Sequence, residues 1–324
     1  MSNTITRSIT AASAATLVVV GLAGCGLPGT FGPSGPDRAV EVAEAYFAAL
    51  ADGDAETALS YTYPPNGDDA ALTDEVLAQS IELAPITKIE AAVAKGGETS
   101  DYTVDVVVDF LLGGDPVTIE TSVSDYGDDW QIHGLFTIST GMFDGLGVTV
   151  NGQEVSGDSV EVFPGMYELG LGLEGFTFDG GSIVAVTESY GGAIDELRPT
   201  LTEEALAEFR AAVRAEVDAC IASTSLAAGC GLEIPATLSD GTVMADGTIT
   251  RTLTADAITT LESMVPTLSY DNPTLARGEY PGGVEVSGQC TKDGSSGTCS
   301  VLFGPALGTP SINMANRPLT VLWD

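Results

Sequence analysis

The residues in this sequence whose side chains are best suited to chemical reactions are five cysteines and a single histidine, His133. A cysteine can act as a nucleophile, bind a metal, accept a lipid or form a disulfide, and its position and spacing indicate which. Cys25 follows an apolar run near the start of the chain, whereas the other four cysteines lie between residues 220 and 299. The positions therefore separate one cysteine from an even set of four.

The first 24 residues have the layout of a secretory signal peptide. Arg7 is the only charge before Cys25, and residues 9–23 are uncharged and end in small side chains. This apolar run of about 15 residues is shorter than the roughly 20 that a membrane-spanning helix needs. Residues 22–25, Leu-Ala-Gly-Cys, resemble the lipobox of Gram-positive, actinobacterial-type lipoproteins. The resemblance implies a diacylglyceryl anchor on Cys25 and a location on the outer face of the cytoplasmic membrane; an ordinary signal peptide is the alternative.

The remaining cysteines predict disulfides in an exported protein. Four cysteines allow three pairings, and the sequence does not choose among them. We favour Cys220–Cys230 and Cys290–Cys299 because both are local, and because residues 292–297 form a turn sequence between two strand-like segments. A zinc site is disfavoured, since no pair has Cys-x-x-Cys spacing and His133 lies far from all four.

The balance of charge excludes one class of partner. The chain has 46 acidic and 11 basic residues, a formal charge of −35, and loss of Arg7 with the signal peptide makes it −36. Such a surface repels phosphate backbones, so nucleic acid is not expected as a partner. Hydrophobic residues make up 44% and charged residues 18%, which favours packed cores over a disordered polyacid.

The pattern after Cys25 predicts a tether and then an α+β domain over residues 38–140. Seven of residues 26–37 are Gly or Pro, so residues 25–37 read as a lipidated cysteine with a spacer. Gly53 should end a first helix and Asp54 cap a second. Strands should follow directly after a turn at residues 64–67, along 102–110 and 117–123, with one last strand through Trp130 and Ile138. The stripe of the first helix consists of Val40, Ala43, Phe47 and Leu50.

Residues 45–54 and 128–132 resemble NTF2-like domains of cystatin-like topology, which occur in many bacterial lipoproteins. The resemblance implies helices packed on a curved antiparallel sheet that encloses a cone. In relatives such as ketosteroid isomerase the cone holds a carboxylate base and a tyrosine. Here Asp105 and Asp109 fall on the sheet face opposite Tyr102 and Trp130. We expect the aromatic residues of this region to be core: Tyr46, Tyr61, Tyr102 and Trp130.

Residues 141–190 predict a small β module. Asn151-Gly152 is the strongest short hairpin signal, and Pro164-Gly165 separates two further strand patterns. The segment resembles the β modules with a Val-Asn-Gly hairpin and a Pro-Gly-x-Tyr turn that alternate with NTF2-like domains in some envelope proteins.

Residues 191–324 predict a C-terminal α+β domain with two local disulfides. Thr200 and Glu203 have the spacing of a capping box, and Ala205 begins an apolar stripe that ends at Ile221. Asp-Gly turns at 240–241 and 246–247 should separate short strands, and residues 319–323 should form the last one. This region could be a second, diverged NTF2-like domain.

Other motifs do not predict a catalytic, cofactor or metal site. Residues 170–175 match G-x-G-x-x-G, but a strand pattern follows where a dinucleotide site needs a helix. Two acidic clusters, Asp52/Asp54/Glu56 and Asp125/Asp128/Asp129, fit turns better than calcium loops. His133 should face solvent or an interface.

We therefore expect no catalytic residue, no cofactor, no metal and an unidentified ligand. The sequence favours a non-catalytic lipoprotein that binds or scaffolds in the cell envelope, anchored through Cys25, with an envelope protein or a wall polymer as a possible partner. The alternatives are an isomerase or hydratase that uses the cone, and a structural spacer.

Overall fold

The first layer of this computed structural model consists of three helices, α1 Gly35–Asp52, α2 Ala55–Ser60 and α3 Asp74–Leu83. The structure describes residues 35–324 except residues 128, 189–193, 195, 302 and 303. The predicted signal peptide and the lipid site at Cys25 therefore lie outside the described residues. Within the described part, no helix combines the length and the apolar character needed to cross a bilayer.

Local signals set the ends of α1 and α2. Helix α1 begins at Gly35, inside the predicted tether, because Pro36 fits the first turn, where no backbone N–H is needed. As predicted, Gly53 ends α1 with a positive φ of 77°, and Asp54 caps α2 by accepting from the Thr57 N–H at 2.8 Å. The buried face of α1 consists of Ala39, Val42, Ala43, Tyr46, Phe47, Ala49 and Leu50.

Helix α3 was not expected. The prediction that strands follow directly after residues 64–67 is wrong, because α3 and a further strand, β1 Ile86–Val93, come first. Thr73 caps α3 through its Oγ1, which accepts from the Val76 N–H at 3.3 Å. Only ten residues long, α3 buries Val76, Leu77 and Ser80, too few positions to show a clear helical period.

The helices pack on a curled, half-barrel antiparallel sheet. Its strands are β1, β2 Thr103–Leu112, β3 Asp115–Asp125 and β4 Trp130–Ile132, in the order β1-β2-β3-β4. The predicted alternation is correct from Val104 onward, although Tyr102 precedes β2: four of the predicted inward residues are at most 2% exposed, namely Val104, Val106, Val108 and Phe110.

The single last strand predicted for this sheet is wrong, because it is two strands in two sheets. β4 ends at Ile132, and β5 Phe136–Ser139 pairs with β8 Ser159–Val162 instead. The chain departs at Gly134, whose carbonyl accepts from the Tyr46 hydroxyl at 2.5 Å. A Cβ at Gly134 would lie 2.6 Å from the Tyr46 ring, so only glycine fits this crossing.

A second group of strands follows. β6 Val148–Val150, β7 Gln153–Glu154, β9 Gly165–Leu171 and β11 Ile183–Val186 form a sheet in the order β11-β9-β6-β7, and β10 Phe176–Phe178 pairs with β12 Pro199–Leu201. The predicted hairpin at Asn151-Gly152 is confirmed: both residues have positive φ, 47° and 76°, as a type I′ turn requires. The glycine-rich residues 170–175 end β9 and lead into the strand β10, as expected.

The third region starts with helix α4 Glu203–Ala222. The prediction that Thr200 caps α4 is wrong, because Thr200 lies in β12. The cap is Thr202, whose Oγ1 accepts from the Ala205 N–H at 3.2 Å. The apolar stripe is otherwise as predicted, with four buried positions from the expected set and Ile221 half-buried against the core. Those buried positions are Ala205, Phe209, Val213 and Val217.

Two small sheets and helix α5 Ala255–Ser263 complete the chain. The strands are β13 Val243–Met244, β14 Thr250–Leu253, β15 Thr267–Leu268, β16 Leu275–Arg277, β17 Val284–Lys292, β18 Ser295–Val301, β19 Pro310–Asn313 and β20 Leu322–Trp323. β17 pairs with β13, β14 and β18, and the other sheet has the order β15-β16-β19-β20. Of the predicted final strand, residues 319–323, only β20 is paired.

Both favoured disulfides are present. Cys220–Cys230 joins the end of α4 to the following loop, with the Cα atoms 6.2 Å apart. Cys290–Cys299 crosses the β17–β18 hairpin, with a Cα separation of 5.8 Å.

The predicted α+β class of the whole fold is correct, with more sheet than helix.

The described chain forms one compact unit, Gly35–Asp324. Side chains join its predicted parts: buried Asn151 donates to the Val76 carbonyl at 3.0 Å and accepts from the Glu168 N–H at 2.8 Å. The sequence boundary at residue 140 thus lies within continuous packing, and the boundaries at 140 and 190 both stay predictions of sequence organisation.

Candidate functional site

Aromatic and aliphatic side chains fill the concave face of the first sheet, where the sequence suggested a cone. Tyr46, Phe47 and Leu50 are at most 1% exposed, and the Phe47 and Phe110 ring centroids lie 5.2 Å apart. Burial raises the pKa of Tyr46 well above its usual value, with a smaller contribution from Tyr167. The Tyr46 hydroxyl is thus a neutral donor that holds the chain at residue 134.

The predicted core role of the aromatic residues holds for Tyr46 but not for Tyr102, which is 70% exposed. Tyr102 precedes the first residue of β2, and its carbonyl accepts from the Asp125 N–H at the end of the sheet. Tyr61 and Trp130 are half-buried against the core.

An enzyme in the cone would need a buried carboxylate. Among the described residues, none of the buried polar or charged side chains is an Asp or Glu. Asp105 lies on the outer face, where hydrogen bonds from the Glu98 N–H and the Ser122 hydroxyl, both at 2.7 Å, lower its pKa. The Asp105 carboxylate is therefore ionised, and these two hydrogen bonds already occupy it.

In each acidic cluster an aspartate accepts a local backbone hydrogen bond that stabilises a helix start or a turn. Asp54 caps α2, and the Asp125 Oδ1 accepts from the Gly127 N–H at 2.8 Å in the β3–β4 turn; Asp128 lies outside the described residues. A further group that could bind a metal, Glu216 with Cys220 and Cys230, has its two sulfurs joined in a disulfide and so lacks thiolate ligands.

A well-defined apolar cavity among the described residues lies elsewhere, and we call it the Phe143 pocket. It has a volume of about 420 Å³ and is lined by Met142 and Phe143, residues 197–199, residues 267–270 and Pro273. Met142 and Phe143 belong to a 3₁₀ turn, residues 197–199 lead into β12, and residues 267–270 continue β15. The pocket therefore forms where the second group of strands meets the C-terminal region.

Packing fixes the floor of the Phe143 pocket, and its rim is open. Phe143 is 1% exposed and meets Phe178 edge to face, with centroids 5.1 Å apart. Tyr270 at the rim is 82% exposed. The Arg198 Nη1 donates to the Leu197 carbonyl at 2.9 Å, which holds the guanidinium near the edge of the cavity. Among the described residues, the lining contains hydroxyls and a cation and no carboxylate, histidine or thiol, so this part of it can bind apolar surface.

A larger groove of about 560 Å³ is more polar. Its lining includes Glu233, Asp240, Ser300 and the apolar Val301. The Lys292 ammonium donates to the Asp240 carboxylate at 2.6 Å and lowers its pKa. Because this acid is already paired and exposed, the groove offers less to a small ligand than the Phe143 pocket does.

The sequence did not reveal the Phe143 pocket, because its walls come from segments up to about 130 residues apart and share no motif. The predicted site residue Cys25 lies outside the described residues, and the four disulfide cysteines are not part of the pocket. Comparison with known proteins finds no matching family model, no matching curated protein and no matching solved structure.

Proposed function

We propose that this protein is a membrane-anchored extracytoplasmic lipoprotein that binds a small apolar molecule in the Phe143 pocket without changing it chemically. The observation that carries the proposal is the pocket itself: about 420 Å³, with a buried aromatic floor and apolar walls. Ligand sites commonly measure roughly 300–1,000 Å³ and are mostly apolar with a few polar groups. The described lining residues have those properties, and none of them is a carboxylate, histidine or thiol that could act as a general base.

The proposed address rests on the residues at 22–25 and on the disulfides. A diacylglyceryl group on Cys25 would hold the chain on the outer face of the cytoplasmic membrane. Disulfides persist in oxidising compartments, and both cysteine pairs of the C-terminal region are bonded. An envelope protein or a wall polymer remains the expected macromolecular partner, and no nucleic acid is expected.

We also propose that α1–α3 and the half-barrel sheet form an NTF2-like domain whose role is mechanical. Three helices before a curled antiparallel sheet support this assignment. Because Tyr46, Phe47 and Leu50 occupy its concave face, this domain would serve as a rigid support that displays the Phe143 pocket at a distance from the membrane.

Nile red, a neutral fluorophore, tests the ligand site on the intact mature protein. We expect saturable one-to-one binding with a blue-shifted emission. Tyr270→Ala and Leu268→Gln should weaken it at least tenfold, because they remove apolar surface at the rim and wall. Tyr280→Ala is the matched control, since Tyr280 is also an exposed tyrosine (57%) and lies outside the pocket. Equal affinity in all variants, or no saturable binding, would favour the purely structural spacer.

A separate experiment tests the anchor. Mass spectrometry of the native N-terminal peptide should show a lipid on Cys25, and Cys25→Ala should move the protein from the membrane to the soluble fraction. An unmodified thiol in membrane-derived protein would contradict the proposed address and leave the pocket proposal standing.

A further inference from the structure

A second feature of the surface is a group of aromatic rings that we call the tyrosine–histidine surface, formed by Tyr63, Tyr126 and His133. The Tyr63 ring lies 4.3 Å from the His133 ring at a tilt of 37°, and 4.9 Å from the Tyr126 ring at 89°. His133 is exposed, as the sequence predicted, and Tyr126 is 66% exposed. By contrast, the ring pairs around Phe47 and Phe143 join buried side chains of the core.

Backbone hydrogen bonds fix the chain segments that carry the three rings. The chain before Tyr63 is fixed by the Ile132 N–H, which donates to the Tyr61 carbonyl at 2.8 Å. The His133 N–H donates to the Ser122 carbonyl at 3.0 Å, and the Tyr126 N–H donates to the Asp129 carbonyl at 3.1 Å. The backbone beneath the rings is therefore fixed, and the contacts of Tyr63 with His133 and Tyr126 hold the three rings against one another.

The Tyr63 and His133 rings are electrically neutral in a strongly acidic protein. The pKa of Tyr63 is raised to about 12, mainly by burial and to a smaller extent by the neighbouring Tyr126. The His133 side chain is exposed, but partial desolvation still lowers the pKa of its imidazole, so the ring is mostly uncharged at pH 7. With a chain charge of −35 around them, these rings are a poor place for a polyanion.

Polar groups stand beside the rings. A cleft of about 250 Å³ is bordered by Tyr63, His133, Asn66 and Glu161. The Glu161 carboxylate accepts from the Asn66 N–H at 2.9 Å, which fixes the carboxylate next to the exposed Asn66 amide. The cleft thus presents a hydrogen-bond donor and acceptors within the same space as two aromatic rings.

We propose that the tyrosine–histidine surface binds a neutral sugar chain. An aromatic face carries negative charge density and attracts the slightly positive C–H groups on one face of a pyranose ring. The sugar hydroxyls can then bond to Asn66 and Glu161 in the adjoining cleft. Because the surrounding charge is negative, the ligand is an uncharged polysaccharide and not a phosphate- or uronate-rich one. This site is separate from the Phe143 pocket and does not depend on it.

Affinity electrophoresis of the intact mature protein tests this site, with a soluble glucan, a galactan and a mannan as neutral probes and polygalacturonate as the anionic probe. We expect at least one neutral polysaccharide to retard the wild type, and Tyr126→Ala or His133→Ala to weaken the apparent affinity tenfold or more. Tyr126→Phe keeps the ring and should retain binding. The matched control Tyr280→Ala should behave as wild type, since it removes an exposed tyrosine outside the surface.

Several outcomes would overturn the inference. These are no retardation by any neutral probe, equal retardation by polygalacturonate, or equal loss in Tyr280→Ala. Dimerisation in sedimentation velocity that Tyr126→Ala abolishes would instead identify a second copy of the chain as the occupant. Melting temperatures check that the exposed substitutions leave the fold intact. Nile red binding by Tyr126→Ala should be unchanged, which separates failure of this site from failure of the Phe143 pocket.

Discussion

The helix-and-half-barrel region and the C-terminal region reach stability by different means. Strands β1, β2 and β3 are 8, 10 and 11 residues long, whereas the C-terminal region has one longer hairpin, β17 and β18 with 9 and 7 residues, and its other strands have two to four residues each. Among the described residues, the largest fully buried side chains include Tyr46 and Phe47, and only Phe209 of that group lies in the C-terminal region. Long strands with aromatic packing leave a filled core, and short strands need another means of support.

Cross-links and a buried cation provide that support in the C-terminal region. Besides the two disulfides, Arg251 is 4% exposed and donates to backbone carbonyls of the loop after α4, at 2.7–3.0 Å for Ser223, Ser225 and Leu232. One guanidinium thus satisfies several carbonyls of a loop that has no strand partner of its own. The Phe143 pocket thus borders the cross-linked C-terminal region, whereas the openings described beside the half-barrel sheet are more polar.

The largest expected effect tests the filled core. Phe47→Ala should lower the free energy of unfolding by about 3–5 kcal/mol, because it removes a buried ring and leaves a cavity against Phe110. Denaturant unfolding measures the change. Tyr102→Ala is the control, since its side chain is exposed and its loss should stay within about 0.5 kcal/mol. A loss below about 1 kcal/mol for Phe47→Ala would mean that the concave face is not closely packed.

A smaller effect is expected from the cross-links. The two disulfides close loops with sequence separations of 10 and 9, so removing either by paired Cys→Ser substitution should cost about 2–3 kcal/mol. Urea midpoints of the two double variants measure this. Nearly equal losses would agree with an effect on the unfolded chain. A much larger loss for the Cys220/Cys230 variant would indicate that this bond also positions the loop that Arg251 binds.

Local sequence signals predicted the elements that are long or sharply bounded. The stripe of α1, the Gly53 and Asp54 boundary, the alternation of β2 and the Asn151-Gly152 turn all depend on residues within one element. The two local disulfides belong to the same class, because each lies within ten residues. Such features need no knowledge of the rest of the chain.

Features that depend on distant packing were missed or misplaced. Thr200 satisfies the capping-box spacing, but β12 pairs with β10 and draws it into a sheet, so Thr202 becomes the cap. Phe136 continues the alternation of Trp130, yet Gly134 must pass under Tyr46 and sends the chain to β8. The Phe143 pocket and the tyrosine–histidine surface likewise combine separate segments, which a pattern along one segment cannot show.

The smallest expected effect is a fall in folding stability at high pH, which comes from buried tyrosine hydroxyls. Tyr46 and Tyr167 are fully buried, and burial raises the pKa of both hydroxyls. An unfolded tyrosine loses its proton near pH 10, so above that pH the unfolded chain binds fewer protons than the folded one and stability falls. Below pH 10 these groups cause no change. Each tyrosine should contribute a loss of about 1.4 kcal/mol per pH unit above pH 10.

Tyr46→Phe isolates one of these contributions. At pH 7 it should cost about 1 kcal/mol, because the Gly134 carbonyl loses its donor. Between pH 10 and 11 the difference should shrink and then reverse, since the variant no longer has to keep that proton in the fold. Urea unfolding at half-unit pH steps measures both slopes, with Tyr102→Phe as the exposed control. Parallel curves for wild type and Tyr46→Phe would show that this hydroxyl ionises without leaving the core, and that the aromatic packing is looser than its burial implies.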